Sequence, residues 1–304
     1  MNILSSISQI LGKDQLCTRF APGVTGRLHL GHIVNAIYVW GISQATQGLV
    51  VLRLEDHSRL RWKAEYEYYI LKDLERIGFL PNIGVFSQFR ELERSEFRQS
   101  DCHEYYQLAL ERLKSNFNVY ACDCLYNDTM SSWHGSYNGY CRNRGLKWRK
   151  GLRLRVELQN DPVEFLDILN GNQKRLPSEF KGDPELINPS GDWTYIFCVV
   201  VDDHRHNINT VIRGKGLLKA SACQILLARM LSYNSPKIWV HHEEILDPIS
   251  SKKLSKRDGA PSIGNMLDSG CTSQDILMLA LTQTSLVSQI NNEITVKNLG
   301  CLFK

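Results

Sequence analysis

Between residues 15 and 54 the chain runs apolar strand, glycine-bearing turn, helix and apolar strand, and this order constrains its fold more than any other feature. Residues 15–21 (QLCTRFA) read as one strand and Leu49–Leu54 (LVVLRL) as a second. The second is apolar enough for burial on both faces, as in a parallel sheet covered by helices. Between them Gly31–Gln47 has helical character, and Gly48 is placed to end that helix. Tyr66, Ile70, Leu74 and Ile77 repeat at helical spacing and stop at Gly78, with Pro81 beyond; a further helix is predicted over roughly Asp101–Ser115. This βαβα order predicts an α/β fold with a parallel sheet and helices on both faces.

From about Phe117 to Asn188 cysteines, glycines and basic residues replace the clean alternation, which reads as an inserted module. A buried strand is predicted at Ile196–Val201, ending in Asp202 and Asp203, and another at Ile208–Arg213. A helix from about Leu217 to Leu231, a basic loop after Pro248 and a helical tail around Asp275–Thr284 follow. The expected parsing is 15–116 and 189–243 as two halves of a nucleotide-binding domain, 117–188 as the insert, and 244–304 as loop and tail. The 304 residues, 43% hydrophobic, suffice for a real core, and a net charge of +4 permits a nucleic-acid partner without demanding one. The N-terminus MNILSSISQILGKDQL reads as a short amphipathic extension, and no stretch approaches the ~20 apolar residues of a membrane span. A cytoplasmic monomer is therefore expected. The nine cysteines are then core residues or metal ligands more often than disulfides.

Two motifs carry chemistry. Thr25-Gly26-Arg27-Leu28-His29-Leu30-Gly31-His32 places a glycine turn and two imidazoles at a helix start, where amides and rings can donate to phosphate oxygens. Two histidines three apart also suit a surface or a metal, so the motif alone is even-handed. Lys252-Lys253-Leu254-Ser255-Lys256-Arg257 sets four more cations in one loop, and such a run by itself is usually solvated. Together, HLGH behind the first strand and KLSKR after the last resemble the paired signatures of class I aminoacyl-tRNA synthetases. Arg19-Phe20-Ala21-Pro22 with Thr25-Gly26, Leu52–Asp56 with Arg61, Tyr195–Asp203, Val211–Gly214 and Lys253–Ile263 extend the resemblance, and it is to the glutamyl type.

The resemblance implies a Rossmann-type class I sheet, with ATP bound by His29, Gly31, His32, Lys253, Ser255 and Lys256 and with Mg²⁺ on the phosphates. Arg19, Tyr195 and Arg213 would hold the side-chain carboxylate of L-glutamate, with Ala21 lining the site and Glu55 taking the ammonium. Arginine suits a carboxylate because its planar fork can make two charge-assisted hydrogen bonds. The implied reaction is in-line attack of the glutamate α-carboxylate on the ATP α-phosphorus, giving glutamyl-AMP and pyrophosphate by positioning and charge stabilisation.

Cys122-x-Cys124 and Tyr137-x-x-x-Cys141 make a third cluster. Three thiolates can close three corners of a tetrahedral zinc site, with buried free thiols as the rival reading. The pattern is similar to the zinc element of glutamyl-Q tRNA(Asp) synthetases, which implies one structural Zn²⁺ with Tyr137 as fourth ligand. Next to it, Arg142–Arg155 holds seven basic residues in fourteen and no acid, with Trp148 among them. Arg142, Arg144, Lys147, Arg149 and Lys150 are the candidate tRNA contacts; a solvated edge strand is the alternative.

Forty-seven residues follow KLSKR, and Leu217-Leu218 stands after Arg213-Gly214-Lys215-Gly216, both as in the glutamyl-Q branch. That branch transfers glutamate to the queuosine base of tRNA(Asp). The alternatives are a truncated glutamyl-tRNA synthetase charging a tRNA 3′ end, or a catalytically weak binding or regulatory paralogue. Gly23, Val24, Ser58, Ile187-Asn188 and Gly216 depart from the family pattern, Gly216 by replacing an acid.

Overall fold

A computed structural model describes residues 3–57, 62–124, 136–245, 261–289 and 293–304. β1 (Cys17–Phe20) and β2 (Leu49–Leu52) pair in parallel around α2 (Leu30–Ala45), as the alternation predicts. α1 (Ile3–Leu11) is amphipathic and buries Ile7 and Leu11. α3 (Ala64–Ile77) stops at Gly78, whose φ of 101° closes the helix in the left-handed conformation open to glycine. At the end of α2, however, the left-handed residue is Gln47 (φ 53°), not Gly48. Gly48 is needed for closeness instead: a Cβ there would lie 2.9 Å from the Leu16 carbonyl oxygen.

A second sheet runs β6 (Gly171–Arg175), β5 (Val163–Asp167), β9 (Ile238–His242), β8 (Thr210–Gly214), with β5–β9 and β8–β9 parallel and β5–β6 an antiparallel hairpin. The Asn209 amide donates to the Cys17 carbonyl (3.1 Å), and Asn209 Oδ1 accepts from the Cys17 amide (2.9 Å), so β1 lies beside β8. A third sheet, β3 (Val119–Cys122), β4 (Arg153–Val156) and β7 (Glu185–Ile187), is antiparallel and lies within the segment expected to be the insert. The β5–β6 hairpin also comes from that segment, yet it extends the sheet that carries β8 and β9.

One expected strand is a helix. Tyr195–Arg205 forms α6, with Ile196 through Asp203 all buried. A short run apolar on every side satisfies a fully buried helix as well as a buried strand, so periodicity could not separate them. α4 (Ser87–Arg90), α5 (His103–Asn116), α7 (Leu218–Met230), α8 (Ile263–Asp268) and α9 (Ser273–Leu281) complete the described helices. The last turns, Val296–Phe303, pack on α2, where Phe303 fills the space that a Gly41 Cβ would take. Among the described residues no helix is long and apolar enough to cross a membrane.

Candidate active site

The HLGH turn is built as a cap. His29 is the N-cap of α2, its Nδ1 accepting from the Gly31 amide (3.1 Å), while His32 Nδ1 accepts from the His29 amide (3.1 Å). Both rings therefore carry their proton on Nε2 when neutral, and the rings lie 3.9 Å apart. This alters one expectation: these two helix-start amides are engaged by ring nitrogens. A Cβ on Gly31 would lie 3.0 Å from the His29 ring, so glycine is what lets the imidazole fold back. The KLSKR loop with Lys253, Ser255 and Lys256, like Ser58 and Arg61, lies outside the described residues.

Arg27, in the same turn, reaches across the molecule. Its guanidinium donates to Asn265 Oδ1 (2.7 Å), pairs with buried Asp73 (3.5 Å) and stacks on Tyr69 (4.2 Å to the ring centre). The Ile263 amide also donates to the Leu28 carbonyl (2.9 Å). Burial raises the Asp73 carboxyl pKa against the charge of Arg27.

Beside this turn lies a buried ion network. Arg53, 1% exposed, pairs with Asp203 (2.7 Å), Glu55 (3.2 Å) and Asp202 (3.9 Å), and Arg19 reaches Asp203 (3.4 Å). Arg19 also donates to the Ile212 carbonyl (3.2 Å), next to Arg213. Glu55 is pinned beside Pro22–Val24 by two backbone bonds, Glu55 N–H to Pro22 O (3.0 Å) and Val24 N–H to Glu55 O (3.2 Å). Ala21 lies partly buried just ahead of that turn.

Arg213 differs from the others. It is 5% exposed, and its five N–H groups go to uncharged partners: His241 Nε2 (3.0 Å), Tyr195 Oη (3.1 Å), Gln224 Oε1 (2.8 Å), Ser221 Oγ (2.8 Å) and the Leu217 carbonyl (3.2 Å). Burial lowers its pKa, and the charge of Arg19 pushes the same way. Tyr195, just ahead of the strand expected at Ile196–Val201, arrives as the first residue of α6.

Sequence reasoning missed the partners behind Arg213. Asp167 and His241 end neighbouring strands, and His241 Nδ1 lies 2.5 Å from Asp167 Oδ2. Arg53 was passed over inside LRLED. Glu244 is the other omission: its Oε1 lies 2.6 Å from where a Cβ on Gly216 would stand and 3.3 Å from one on Gly214.

Cys122, Cys124 and Cys141 are brought together, with all three Sγ atoms within 4.8 Å and Cys124–Cys141 at 3.5 Å. Ligands about 2.3 Å from a zinc ion stand about 3.8 Å apart, so the spacing is compatible with three corners of a tetrahedral site. The Tyr137 oxygen accepts from the Cys141 amide (2.7 Å) at the edge of the cluster. The basic run is more neutral than its composition suggests. Arg142 pairs with Asp183 and Glu157, Arg144 with Asp123, and Arg153 and Arg155 with Glu185. Lys147, Arg149 and Lys150 are exposed with Trp148, and among the described residues they make no ion pair.

The family model for tRNA synthetases class I (E and Q), catalytic domain, matches residues 15–295. The chain belongs to this family. It is 31% identical to "Glutamate--tRNA ligase 2" of Syntrophus aciditrophicus over 284 residues, covering 88% of this chain and 57% of that one. It is 32% identical to "Glutamyl-Q tRNA(Asp) synthetase" of Rhodobacter capsulatus over 291 residues, covering 87% of this chain and 99% of that one. A glutamate tRNA ligase from Elizabethkingia meningosepticum, solved in complex with its amino acid, shares the fold: TM-score 0.77 at 23% identity, over 95% of this chain and 65% of that one. The synthetase chain thus spans little more than half of the Syntrophus relative.

Proposed function

We propose that this synthetase-family chain activates L-glutamate with ATP and transfers it to the queuosine base of tRNA(Asp). The observation that carries glutamate is Arg213, a buried guanidinium with five uncharged partners and a second arginine nearby. A buried cation without an anionic partner is costly, and a ligand carboxylate relieves that cost. Glu55, across the Arg53–Asp203 network, supplies the negative pole for the ammonium. Glutamine would leave the arginine unneutralised, which favours the acid over its neutral isostere.

In this reading the α-carboxylate of glutamate attacks the α-phosphorus of ATP and pyrophosphate leaves. The Nε2–H groups of His29 and His32 donate to phosphate oxygens as charge develops, with Lys256 of the basic loop assigned the same task. Mg²⁺, held chiefly by the phosphates, would neutralise their charge. Zinc would be held by Cys122, Cys124 and Cys141, with Tyr137 the candidate fourth ligand, and would organise the module on which the exposed Lys147, Trp148, Arg149 and Lys150 lie. Those residues suit a phosphate backbone and an unstacked base. The named glutamyl-Q relatives support queuosine as acceptor; the named ligases favour a tRNA 3′ end as the second reading.

The test is ATP–pyrophosphate exchange, expected with glutamate, without tRNA, and not with glutamine. Equal exchange with glutamine overturns the assignment of Arg213. Labelled glutamate is then offered to tRNA from cells that make queuosine and from cells that cannot. Label confined to queuosine-containing tRNA(Asp) supports the reading, and label lost on removing the 3′ CCA end favours the second.

A further inference from the structure

We propose that Asp167 and His241 are positioning residues that orient Arg213 while leaving its charge available to the substrate carboxylate. The inference rests on the glutamate reading of Arg213 and adds two residues that no motif marks.

The connection is continuous and buried. Asp167 is fully buried and His241 is 1% exposed. Asp167 Oδ2 faces His241 Nδ1 at 2.5 Å and accepts from the His241 amide at 3.1 Å, so the ring carries its proton on Nδ1. Nε2 is then an acceptor, and Arg213 Nε donates to it at 3.0 Å. Ser221 Oγ lies 3.2 Å from the same Nε2 and accepts from Arg213 Nη2 at 2.8 Å, closing a ring of contacts around the guanidinium. Trp239, two residues before His241 on β9, lies with its ring centre 5.2 Å from the guanidinium carbon.

Interposing an imidazole has an electrostatic consequence. A carboxylate placed directly on Arg213 would fix its direction equally well and also neutralise it, so a substrate carboxylate would gain little. Asp167 instead spends its charge on its own turn. Its Oδ1 accepts from the Leu169 amide (3.1 Å), the Asn170 amide (2.8 Å) and Asn170 Nδ2 (2.7 Å). What reaches Arg213 is a neutral ring nitrogen in a fixed orientation, and holding a ligand through its second partner is an effective way to fix geometry. Of the side chains that accept from Arg213, Tyr195 alone is partly exposed, and the donor facing it is the one a substrate carboxylate can take over.

The experiment compares His241→Leu, His241→Gln and Asp167→Asn in glutamate-dependent ATP–pyrophosphate exchange, with thermal unfolding alongside. His241→Leu removes the acceptor and is expected to raise KM for glutamate roughly ten- to hundredfold, the loss for one hydrogen bond to a charged group. KM for ATP should hold, and discrimination against glutamine should fall. Gln can accept from Arg213 and donate to Asp167, so His241→Gln should recover most of the glutamate KM. Asp167→Asn keeps the shape but replaces one acceptor oxygen with an NH2 donor, which disturbs the Nδ1 proton of His241; it tests the same link if His241→Leu fails to fold, and should raise KM for glutamate alone. Exchange in the wild type with unchanged glutamate KM in these variants overturns this inference and leaves the glutamate reading standing. Absence of glutamate-dependent exchange in the wild type overturns both.

Discussion

Arg27 and Asn265, 238 residues apart in sequence, are joined by a 2.7 Å hydrogen bond that ties the chain emerging from the lysine-rich loop to the HLGH turn. The same guanidinium is the counter-ion of Asp73, a carboxylate with no exposure and, among the described residues, no hydrogen-bond partner.

Arg27→Ala should therefore leave a buried charge uncompensated and destabilise the fold by on the order of 3 kcal/mol. Adding Asp73→Asn should return much of that loss, because the stranded charge is gone. Urea unfolding of the two single variants and the double variant measures the coupling; additive losses would show that the pair does not interact.

Gly31→Ala places a methyl 3.0 Å from the His29 ring. The imidazole must give by a few tenths of an ångström, which weakens its cap on the Gly31 amide. Adenylate formation should fall at least about tenfold, the order expected when one preorganised donor is misplaced, while the melting temperature moves little. Normal exchange rates in this variant would remove His29 from the phosphate site.

Burial drives the His241 pKa down to about 4; the Asp167 hydrogen bond resists and the charge of Arg213 adds to the fall. Below about pH 6.5 the unfolded chain takes up a proton that the folded ring refuses. Stability should thus be full above about 6.5 and decline as pH falls toward 4, by on the order of 3 kcal/mol. His206, lowered to about 4 by burial and then by the charge of Arg53, adds a decline of the same sign. Urea unfolding at both ends of this window, repeated for His241→Gln, should show a shallower fall in the variant.

Protein purified without chelator should carry about one zinc per chain by elemental analysis, the stoichiometry of one closed site. Cys141→Ser should lose it. Metal-free wild-type protein with three titratable thiols at 122, 124 and 141 would return these residues to ordinary buried cysteines.

The first βαβ unit was legible because its strands, caps and turn each carry a local signal. Ile196–Val201 was not, since burial on every side erases the period that tells helix from strand. Arg19, Glu55 and Arg213 could be picked out as members of motifs. Asp167 and His241 lie 74 residues apart, and only the β5–β9 pairing brings them together. The basic run was legible as composition, but its neutralising acids, Glu157, Asp183 and Glu185, come from more distant stretches of chain.

Gly216 shows a different limit of reading by position. Along the chain an acid is missing there; in space a carboxylate from the end of β9, that of Glu244, stands where the missing side chain would begin. A carboxylate thus reaches the space beside Gly216 from another stretch of the chain. A reading position by position misses this carboxylate, because it comes from 28 residues further along the chain.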